Sequence, residues 1–308
     1  MSLSPSLSII TVSWNTRALL DQCLASVFAN PSQCAFDLWV VDNASQDQSA
    51  ALVRDKYPGV RLIENDSNAG FARANNQAMA QSNGDYVLLL NSDTVALPGM
   101  LTEMVQWMEA HPEAGIVGGT LMNPDGSFQA SHGDYPTLVS ALLNVAGLAR
   151  GFYGPYFPSR PPVASHQAIP ADWVGGACLM ARRQAIAAVG PLDEGYFMYA
   201  EEMDWCYRMR QAGWGVFSLP TAKCAHWGGQ SSAQVSRITP ARLVAATHRF
   251  MKKHRGAVPA AAFRAGAGVL GIAKAAVFAA LALAHHARRG YWRDKAVANL
   301  TLALEGFR

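Results

Sequence analysis

Two carboxylates that follow apolar runs are the first residues in this sequence whose type and position suit chemistry. Asp42 follows Leu38–Val41, and Asp93 follows Leu88–Leu90 with Asn91 two residues before it. A carboxylate placed like Asp42 can accept hydrogen bonds from a base or a ribose. The oxygen ligands of Asn91 and Asp93 suit Mg²⁺ or Mn²⁺, which take one or two protein carboxylates and leave other positions to a diphosphate. Taken alone, either Asp is equally a turn residue or a helix cap.

A second acidic group opens a predicted helix over Ala200–Ala212. Asp204 and Arg208 are four residues apart, so a helix places them on one face as an ion pair with a structural role. Glu201 and Glu202 point roughly 100° apart on the same helix, so one of them can face a cleft as a general base while the other faces elsewhere. The alternative is a solvated helix start, since acidic residues favour helix N-termini.

Two further segments offer partners for charged groups. Asn68–Asn76 opens a helix with Gly70, so free backbone amides together with Arg73 can neutralise a phosphate, although helix capping explains the same residues. His226 precedes a glycine pair and is therefore expected in a loop. A neutral imidazole there can complete a metal site, although a single His is more often structural.

The elements that must position these residues alternate between strands and helices. Apolar, β-branched runs predict the strands, and apolar residues at helical spacing predict the helices. Ser45 and Gln48 form a predicted capping box for the second helix. The predicted strands are Leu7–Val12, Phe36–Val41, Val60–Ile63 and Tyr86–Leu90, and the helices that follow them are Arg17–Phe28, one ending near Tyr57, Phe71–Gln81 and Gly99–Ala110.

This alternation predicts the α/β class with a doubly wound, mostly parallel sheet. Such sheets bind ligands outside the carboxyl ends of their strands. Polar residues follow all four predicted strands, so we expect them to converge on one rim. These residues are Ser13–Asn15, Asp42–Ser45, Asn65–Gly70 and Asn91–Asp93.

The segment Leu121–Asp172 is rich in Gly, Pro and aromatic residues and shows no periodicity. It is interpreted as a loop region on the acceptor side of the site. Regular structure is predicted again over Trp173–Arg182, where Gly175 and Gly176 allow a close approach of the backbone.

Length and cysteine content limit the classes of protein that need to be considered. A chain of 308 residues suits one large α/β domain with an appendage. Its five cysteines are odd in number and form no CxxC pair, which argues against a disulfide framework or a zinc knuckle and indicates a reducing cytoplasm. No basic residue precedes the first apolar run, so that run is interpreted as a strand and not as a secretory signal.

Charge divides the chain into two parts. Residues 1–236 carry 12 Lys and Arg against 20 Asp and Glu, a net charge of −8, whereas residues 237–308 carry 13 against 2, a net charge of +11. In this tail the basic residues flank the apolar run Ala265–Ala284 and do not interleave with aromatics, which favours an anionic membrane surface over nucleic acid.

The apolar run of the tail is interrupted by Lys274 and has basic residues at both ends, so residues 250–295 are expected to form a peripheral interfacial helix and not a spanning one. A packed pair of Ala-rich helices is the alternative. A GxGxxG pattern at Gly266, Gly268 and Gly271 follows no strand, and it is interpreted as chance and not as a nucleotide site.

Seven segments taken together resemble family 2 glycosyltransferases, especially their rhamnosyltransferase-like branch. The resemblance covers roughly residues 7–232 and implies a GT-A fold. From this resemblance together with the charge division, we predict a catalytic domain over residues 1–236, with a nucleotide-sugar half over about 1–120 and an acceptor half over about 121–236, followed by the basic helical tail at 237–308. The segments are TVSWN, VVDNASQD, NAGFARANNQA, LLLNSDT, GGACLMARR, FMYAEEMDWCYR and HWGGQSS.

The resemblance also implies roles for individual residues. It places Asp42 at the donor nucleotide, Asp93 and His226 at a Mg²⁺ or Mn²⁺ ion, and Glu202 as the catalytic base. Asn91 stands where the family has the first Asp of its DxD-like motif, and Glu202 stands where the family has an Asp. The full set of predicted donor-binding residues is Thr11, Ser13, Asn15, Asp42, Asn68, Gly70, Arg73, Asn91 and Ser92, and the acceptor-side residues are Trp173, Gly175, Gly176 and Glu201.

The implied reaction is a single displacement with inversion, in which Glu202 removes the proton of the acceptor hydroxyl. The segment nearest to the QxxRW motif of processive synthases, 234–238, lacks the Trp, so non-processive addition of one sugar to a glycan or lipid-linked acceptor is expected. Rhamnose is the leading donor sugar, with galactofuranose, mannose or another hexose as alternatives.

Two proteins of other classes remain as alternatives. The departures at Asn91 and Glu202 are compatible with a nucleotide-sugar-binding protein that has lost catalysis. A dinucleotide oxidoreductase is disfavoured, because the first strand leads into TVSWNT and not into a glycine fingerprint.

Overall fold

The computed structural model describes residues 5–162, 166–228 and 238–307. It divides into two compact units. Unit 1 comprises Met1–Tyr135, Ser159–Phe197 and Glu201–Ser231, and unit 2 comprises Pro136–Pro158, Met198–Ala200 and Ser232–Arg308. Residues 136–158, which the sequence placed in the catalytic domain, thus group with the tail, and the predicted boundary after residue 236 lies outside the described residues.

The first half of unit 1 alternates strands and helices as predicted, and most bounds agree within one or two residues. Most of these strands are apolar runs and each helix buries part of one face, so sequence pattern and structure largely coincide here. The elements are β1 (Ser6–Ser13), α1 (Arg17–Ala29), β2 (Ala35–Asp42), α2 (Ser49–Lys56), β3 (Arg61–Glu64), α3 (Phe71–Gln81), β4 (Tyr86–Leu90), β5 (Thr94–Ala96) and α4 (Met100–Ala110).

The second half of unit 1 completes the sheet and adds two helices. Its elements are β6 (Ala114–Met122), β7 (Phe128–Gln129), β8 (His132–Gly133), β9 (Ile169–Pro170), β10 (Trp173–Val174), β11 (Cys178–Arg182), α7 (Arg183–Val189), α8 (Glu201–Gln211) and β12 (Gly215–His226). The order along the main sheet is β3-β2-β1-β4-β11-β6-β12-β5, with β7 beside β6 and β9 beside β12. The pairs among β3, β2, β1 and β4 are parallel, whereas β11 runs antiparallel to both β4 and β6.

Both faces of this sheet are buried, as expected for a mostly parallel sheet. Consecutive residues of β1 point to opposite faces of the sheet, so Ile9 packs in the hydrophobic core on one face and Ile10 in the core on the other. Leu20 of α1 and Met104 of α4 cover the first face. Trp205 of α8 covers the second face together with α3 and α7. This packing fixes the positions of the strand ends that carry the polar residues.

Unit 2 is helical and consists of α5 (Leu138–Ala146), α6 (Ala149–Tyr153), α9 (Thr239–His254), α10 (Ala257–Ala284), a short 3₁₀ turn (His286–Arg288) and α11 (Arg289–Phe307). Its helices share an apolar core. The core includes Val244, Met251, Phe263, Ala267 and Leu302, with Leu138, Leu142 and Val145 of α5 packed against it.

The glycines of the GxGxxG pattern in α10 have a packing role. A Cβ on Gly271 would lie 2.9 Å from the backbone nitrogen of Ala303 in α11, and a Cβ on Gly306 would lie 2.6 Å from the Cα of Gly268. Glycine at these positions therefore lets α10 and α11 approach closely.

Two local predictions were wrong. Gln48 adopts left-handed backbone angles with φ 67°, and no side chain caps α2 as the predicted box requires. Asp47 instead accepts a hydrogen bond from the backbone nitrogen of Ser49 at 3.1 Å. The segment Leu121–Asp172 is not a loop region throughout, because it contains α5, α6 and several short strands.

Candidate functional site

The loops after β1 and β2 are tied together at the carboxyl edge of the sheet. Ser13 and Asp42 are neighbours in the parallel register of the two strands. The backbone nitrogen of Asn15 donates to Ser45 Oγ at 2.9 Å, and the backbone nitrogen of Gln46 donates to Asn15 Oδ1 at 2.7 Å. Asn15 has φ 53°, a left-handed conformation that Asn tolerates better than most residues. These bonds hold the two loops in one arrangement.

Asp42 has one carboxylate oxygen that lacks a protein partner. The residue is 4% exposed. Its Oδ2 accepts a hydrogen bond from the backbone nitrogen of Ser45 at 2.8 Å, whereas its Oδ1 is buried without a partner among the described residues. Buried polar atoms are nearly always hydrogen-bonded, so Oδ1 is suited to receive a donor from a ligand.

A chain of hydroxyl groups connects β1 to the turn after β4. Ser13 Oγ lies 3.1 Å from Thr16 Oγ1, which lies 2.9 Å from Ser92 Oγ. Ser13 and Ser92 are thereby brought together as the sequence predicted. Thr11 is fully buried within β1 and lies deeper than the rim.

Asp93 and His226 meet at the other end of this turn. The Nε2 atom of His226 lies 3.2 Å from Asp93 Oδ1, and the two side chains are 12% and 9% exposed. The backbone nitrogen of Trp227 also donates to the carbonyl of Asp93 at 3.0 Å. His226 Nε2 nevertheless has no partner with hydrogen-bond geometry among the described residues.

Gln129 holds His226 at two points and was not found from the sequence. Its Oε1 is hydrogen-bonded to His226 Nδ1. Its Nε2 donates to the carbonyl of His226 at 3.2 Å and to Asn123 Oδ1 at 3.0 Å. These two bonds orient the amide so that its oxygen, Oε1, faces the imidazole ring. His226 Nδ1 is therefore the donor in this contact, which leaves Nε2, the ring atom nearest to Asp93 Oδ1, as the one that can bind a metal.

Two electron-pair donors that face each other at this distance suit a cation between or beside them. Carboxylate oxygen and neutral imidazole are ligands that Mn²⁺ accepts, and Mg²⁺ prefers the oxygen. No group of three or more His, Cys, Asp or Glu side chains gathers in a metal-holding arrangement within the part of the chain that the structure describes. A metal held by Asp93 and His226 would thus take further ligands from a diphosphate or from water. Asn91, whose backbone nitrogen donates to Ala177 at 3.0 Å, has a half-buried side chain beside this turn.

The start of α3 differs from the predicted phosphate site. The backbone nitrogen of Gly70 donates to Asn68 Oδ1 at 3.0 Å, and that of Phe71 donates to the carbonyl of Phe197 at 2.8 Å. These two amides are therefore not free. The side chain of Arg73 is exposed and stays available for a charged ligand.

The two adjacent acids of α8 have different environments. Glu201 is 4% exposed, and its Oε2 is buried without a partner among the described residues. Burial and the neighbouring charge of Glu202 raise the pKa of Glu201 well above its ordinary value of 4.5. Burial raises the pKa of Glu202 to about 7. Both shifts favour the protonated forms of the two acids, and the pKa of Glu202 lies where its carboxyl group can exchange a proton at neutral pH.

Glycine brings the strand region before β11 against Glu202. A Cβ on Gly176 would lie 3.4 Å from Phe71 Cε1 and 3.6 Å from the Cβ of Glu202. The next residue, Ala177, accepts the backbone hydrogen bond of Asn91. Gly176 therefore connects Glu202 to the turn that carries Asp93, so the acid lies at the same edge of the sheet as the candidate metal ligands.

The remaining predicted acceptor residues are held by backbone contacts. The backbone nitrogen of Gly175 donates to the carbonyl of Ser131 at 2.8 Å, and Trp173 Nε1 donates to the carbonyl of Asp134 at 2.9 Å. Trp173 is 7% exposed and belongs mainly to the core. Asp204 and Arg208 form the predicted ion pair at 2.8 Å.

Two polar residues beside Gly175 were missed by sequence reasoning. The hydroxyl of Ser131 and both ring nitrogens of His132 are buried without partners among the described residues. Burial lowers the pKa of His132, so its ring is neutral at neutral pH and still has one N–H to donate. No periodic or motif signal marks these residues. The predicted segments at 229–232 and 234–237 lie outside the described residues.

Comparisons with known proteins give matching family models, relatives and solved structures. Residues 8–160 match the family model of glycosyl transferase family 2, and residues 86–257 match that of glycosyl transferase family group 2. The chain is 28% identical over 261 residues to the N-acetylglucosaminyl-diphospho-decaprenol L-rhamnosyltransferase of Mycobacterium tuberculosis (strain ATCC 25618 / H37Rv), covering 79% of this chain and 81% of the relative. It is 25% identical over 206 residues to the rhamnosyltransferase WbbL of Escherichia coli (strain K12), covering 60% of this chain and 75% of the relative.

A solved structure with a similar fold is the mannosyltransferase PcManGT from Pyrobaculum calidifontis, determined in complex with GDP-Man and Mn²⁺. The likeness has a TM-score of 0.60 at 17% identity, and it covers 99% of this chain and 88% of that one. This likeness confirms the predicted GT-A type of fold, with its mostly parallel sheet and C-terminal helices.

Proposed function

The chain belongs to glycosyltransferase family 2, and we propose that this enzyme transfers rhamnose from a nucleotide diphosphate sugar to a hydroxyl of a glycan or lipid-linked acceptor in cell-surface polysaccharide synthesis. The choice of rhamnose is supported by relatives named as rhamnosyltransferases over most of their length. The observation that carries the proposal is that the Asp93 and His226 pair and Glu202 lie at the same edge of the sheet, connected through Gly176 and Ala177.

The nucleotide of the donor is proposed to bind at the ends of β1 and β2. Asp42 Oδ1 is buried without a partner among the described residues and can accept a hydrogen bond from the base or the ribose. The loop that carries Asn15 is already ordered by its bonds to Ser45 and Gln46, so little conformational freedom is lost on binding. Ser13 and Ser92 supply hydroxyl groups toward the same ligand.

Asp93 and His226 are proposed to hold Mg²⁺ or Mn²⁺. The bound ion would neutralise the negative charge that develops on the departing diphosphate. Asp93 carries a negative charge, and residues 1–236 carry a net charge of −8. A diphosphate therefore needs cationic help at this site, and Arg73 is a candidate for a second contribution.

Glu202 is proposed to act as the general base. The acceptor oxygen attacks the anomeric carbon from the face opposite the diphosphate, and its proton passes to Glu202. The bond from the anomeric carbon to the diphosphate oxygen breaks, and its electron pair leaves with the diphosphate, so the configuration inverts. A base whose pKa is about 7 suits this proton transfer at neutral pH.

The acceptor is proposed to lie beside Gly175 and Gly176, because the backbone at Gly176 runs next to Glu202. The unpartnered hydroxyl of Ser131 and the ring of His132 can hydrogen-bond to sugar hydroxyls there. A lipid-linked acceptor would place the enzyme peripherally on the inner face of the cytoplasmic membrane, and residues 250–295 are the proposed contact with anionic lipid.

A donor screen with the purified full chain tests this proposal. The donors are nucleotide diphosphates of rhamnose, galactofuranose, mannose and glucose, and the acceptors are a prenyl-diphosphate-linked N-acetylglucosamine and a short soluble glycan, each with Mg²⁺, Mn²⁺ or EDTA. We expect one rhamnosylated product with inverted anomeric configuration, and its loss with EDTA. Asp93→Ala should bind the nucleotide diphosphate equally with and without metal. Binding without transfer of any sugar would favour the inactive binding protein instead.

A further inference from the structure

The exposed surface of α10 is uniformly apolar. All 14 exposed residues of this 28-residue helix are Ala, Val, Ile or Leu. The larger ones recur at intervals of a few residues, and Val269, Ile272, Val277 and Leu283 are each at least 51% exposed. At roughly 100° per residue these four positions fall within one side of the helix, which we name the apolar face.

The lysine that interrupts the apolar sequence does not lie on this face. Lys274 is half-buried, and its Nζ donates to the carbonyl of Val145 at 2.8 Å, near the C-terminal end of α5. A cation is favourable at that end of a helix. Lys274, which interrupts the apolar run in the sequence, thus has a hydrogen-bond partner within unit 2. The apolar face itself carries no charged residue.

The opposite side of α10 is covered by protein. Phe263 and Ala267 are buried in the core of unit 2, and Gly271 lies against Ala303 of α11. Within the described residues, α10 is the one helix long and apolar enough to cross a membrane by length and composition. A helix whose other side packs on helices that carry exposed charges is better suited to lie on a bilayer than to be surrounded by it.

Basic residues stand beyond both ends of the apolar face. Lys252, Lys253 and Arg255 precede α10, and Arg288 and Arg289 follow it, all with exposed side chains. The helix is about 42 Å long, so charges at both ends meet a membrane surface together only when the helix lies flat. The net charge of +11 over residues 237–308 complements anionic headgroups. The apolar face has no charged side chain that could contact the phosphates of a nucleic acid.

We propose that the apolar face of α10 docks flat on an anionic lipid bilayer, with the face in the boundary between headgroups and acyl chains and the basic residues at its ends on the headgroups. The choice of a membrane rests on the proposed function, which supplies a lipid-linked acceptor. The choice of this face rests on α10 alone.

Vesicle flotation of the full chain tests the proposal, with vesicles of phosphatidylcholine alone or mixed with phosphatidylglycerol at low and high salt. Ile272→Glu/Val277→Glu places two charges on the apolar face at exposed positions. Gln22→Glu/Ala25→Glu on α1 makes a similar change to net charge at exposed positions of unit 1. We expect the wild type to float with the mixed vesicles, the α10 variant to bind them about tenfold more weakly or worse, and the α1 variant to bind like the wild type.

Rhamnosyl transfer to the soluble glycan is measured on the same preparations, so that failure of docking and failure of the proposed function are distinguished. Equal flotation of the wild type and the α10 variant would overturn the proposal, as would absence of flotation at low salt. A chain that does not float but sediments as a dimer, which the α10 variant dissociates, would identify the face as an interface between two copies.

Discussion

Two adjacent glutamates in one helix have distinct chemical properties because a helix turns them toward different surroundings. Glu201 is buried with an unpartnered oxygen, which favours its neutral form. Glu202 lies beside Gly176, half-buried, and burial raises its pKa to about 7. Because a protonated acid cannot accept a proton, the stronger burial of Glu201 supports the proposal that Glu202 is the base.

Glu202→Gln is expected to lower kcat by about a hundredfold or more and to leave donor affinity nearly unchanged, because the amide keeps the shape but cannot take the proton. In the wild type, kcat should rise with pH up to about 7, since the carboxylate is the active form. Steady-state kinetics of both proteins over a range of about four pH units, from about 5 to 9, measure the loss of kcat in the variant and the pH dependence of kcat in the wild type.

Glu201→Gln is the matched control and should reduce kcat far less. The pKa of Glu201 is higher in the folded state than in the unfolded chain, so the folded state holds this proton more tightly. The contribution of Glu201 to the free energy of unfolding therefore falls as pH rises above about 4.5. The variant should lose part of that fall in urea unfolding. If Glu201→Gln is the more damaging change, Glu201 is the base.

Gln129 is expected to position His226 for metal binding. Gln129→Ala removes both contacts that hold the ring and the carbonyl of His226, so Mn²⁺ affinity should fall by about tenfold to a hundredfold, as for other residues that orient a metal ligand. Calorimetry with Mn²⁺ in the absence of sugar measures this, and ¹⁵N NMR of the His226 ring reports the loss of a single tautomer. Ser127→Ala, in the same hairpin turn but without contact to His226, should bind Mn²⁺ like the wild type. Unchanged affinity in Gln129→Ala would rule out the positioning role.

The residues of the site divide into those that local sequence can reveal and those that it cannot. Asp42 and Asp93 were predicted as site residues because they directly follow apolar strands, and Glu202 because it lies in the first turn of a helix in a family-like segment. Gln129 was missed because its role depends on a hairpin that folds against β12, 97 residues further along the chain. No local pattern encodes such a contact.

At the scale of elements, helices and strands were predicted correctly where the apolar residues of a segment follow one clear helical or strand period. The strand β6 was missed because Ala114–Met122 contains three glycines, and its strand character comes from pairing with β11 and β12. The helix α5 was missed although a signal was present, since Thr137 and Ser140 form a capping box immediately before its apolar residues. The surrounding Gly and Pro content concealed it.

The start of α3 offers a test of how closely Gly70 packs against the backbone of Phe197. Gly70 and Gly99 both precede helices with φ near 80°, but a Cβ on Gly70 would lie 2.4 Å from the carbonyl oxygen of Phe197, whereas a Cβ on Gly99 meets nothing within 4 Å. Gly99→Ala should cost about 1 to 2 kcal/mol of unfolding free energy from backbone strain. Gly70→Ala should cost about 2 kcal/mol more, because the backbone of Phe197 must move. Urea unfolding of both variants measures the difference, and equal losses would show that the contact is not close in solution.

At the scale of the whole molecule, the charge pattern divided the chain near residue 236, but the second unit also recruits residues 136–158. Its core needs α5 from the middle of the sequence as well as the three helices of the tail. Charge counts could not reveal this, because α5 is apolar and its place is set by packing. The basic tail is therefore only one part of a discontinuous helical unit.

This discontinuity predicts that the tail cannot be removed without exposing apolar surface. Truncation after Arg255 deletes α10 and α11 and leaves Val244 and Met251 of α9, with Leu142 of α5, lacking the partners that bury them. It also removes Lys274 from the carbonyl of Val145. Since each large apolar side chain contributes about 1.5 to 3 kcal/mol when buried, the truncated chain should bind a hydrophobic dye and aggregate, as sedimentation and dye fluorescence would show. The full-length Ile272→Glu/Val277→Glu variant keeps every buried contact of α10 and should remain soluble without dye binding. A truncated chain that stays monomeric and dye-free would mean that α5 and α9 do not depend on the tail, and that unit 2 is held together by contacts other than this core.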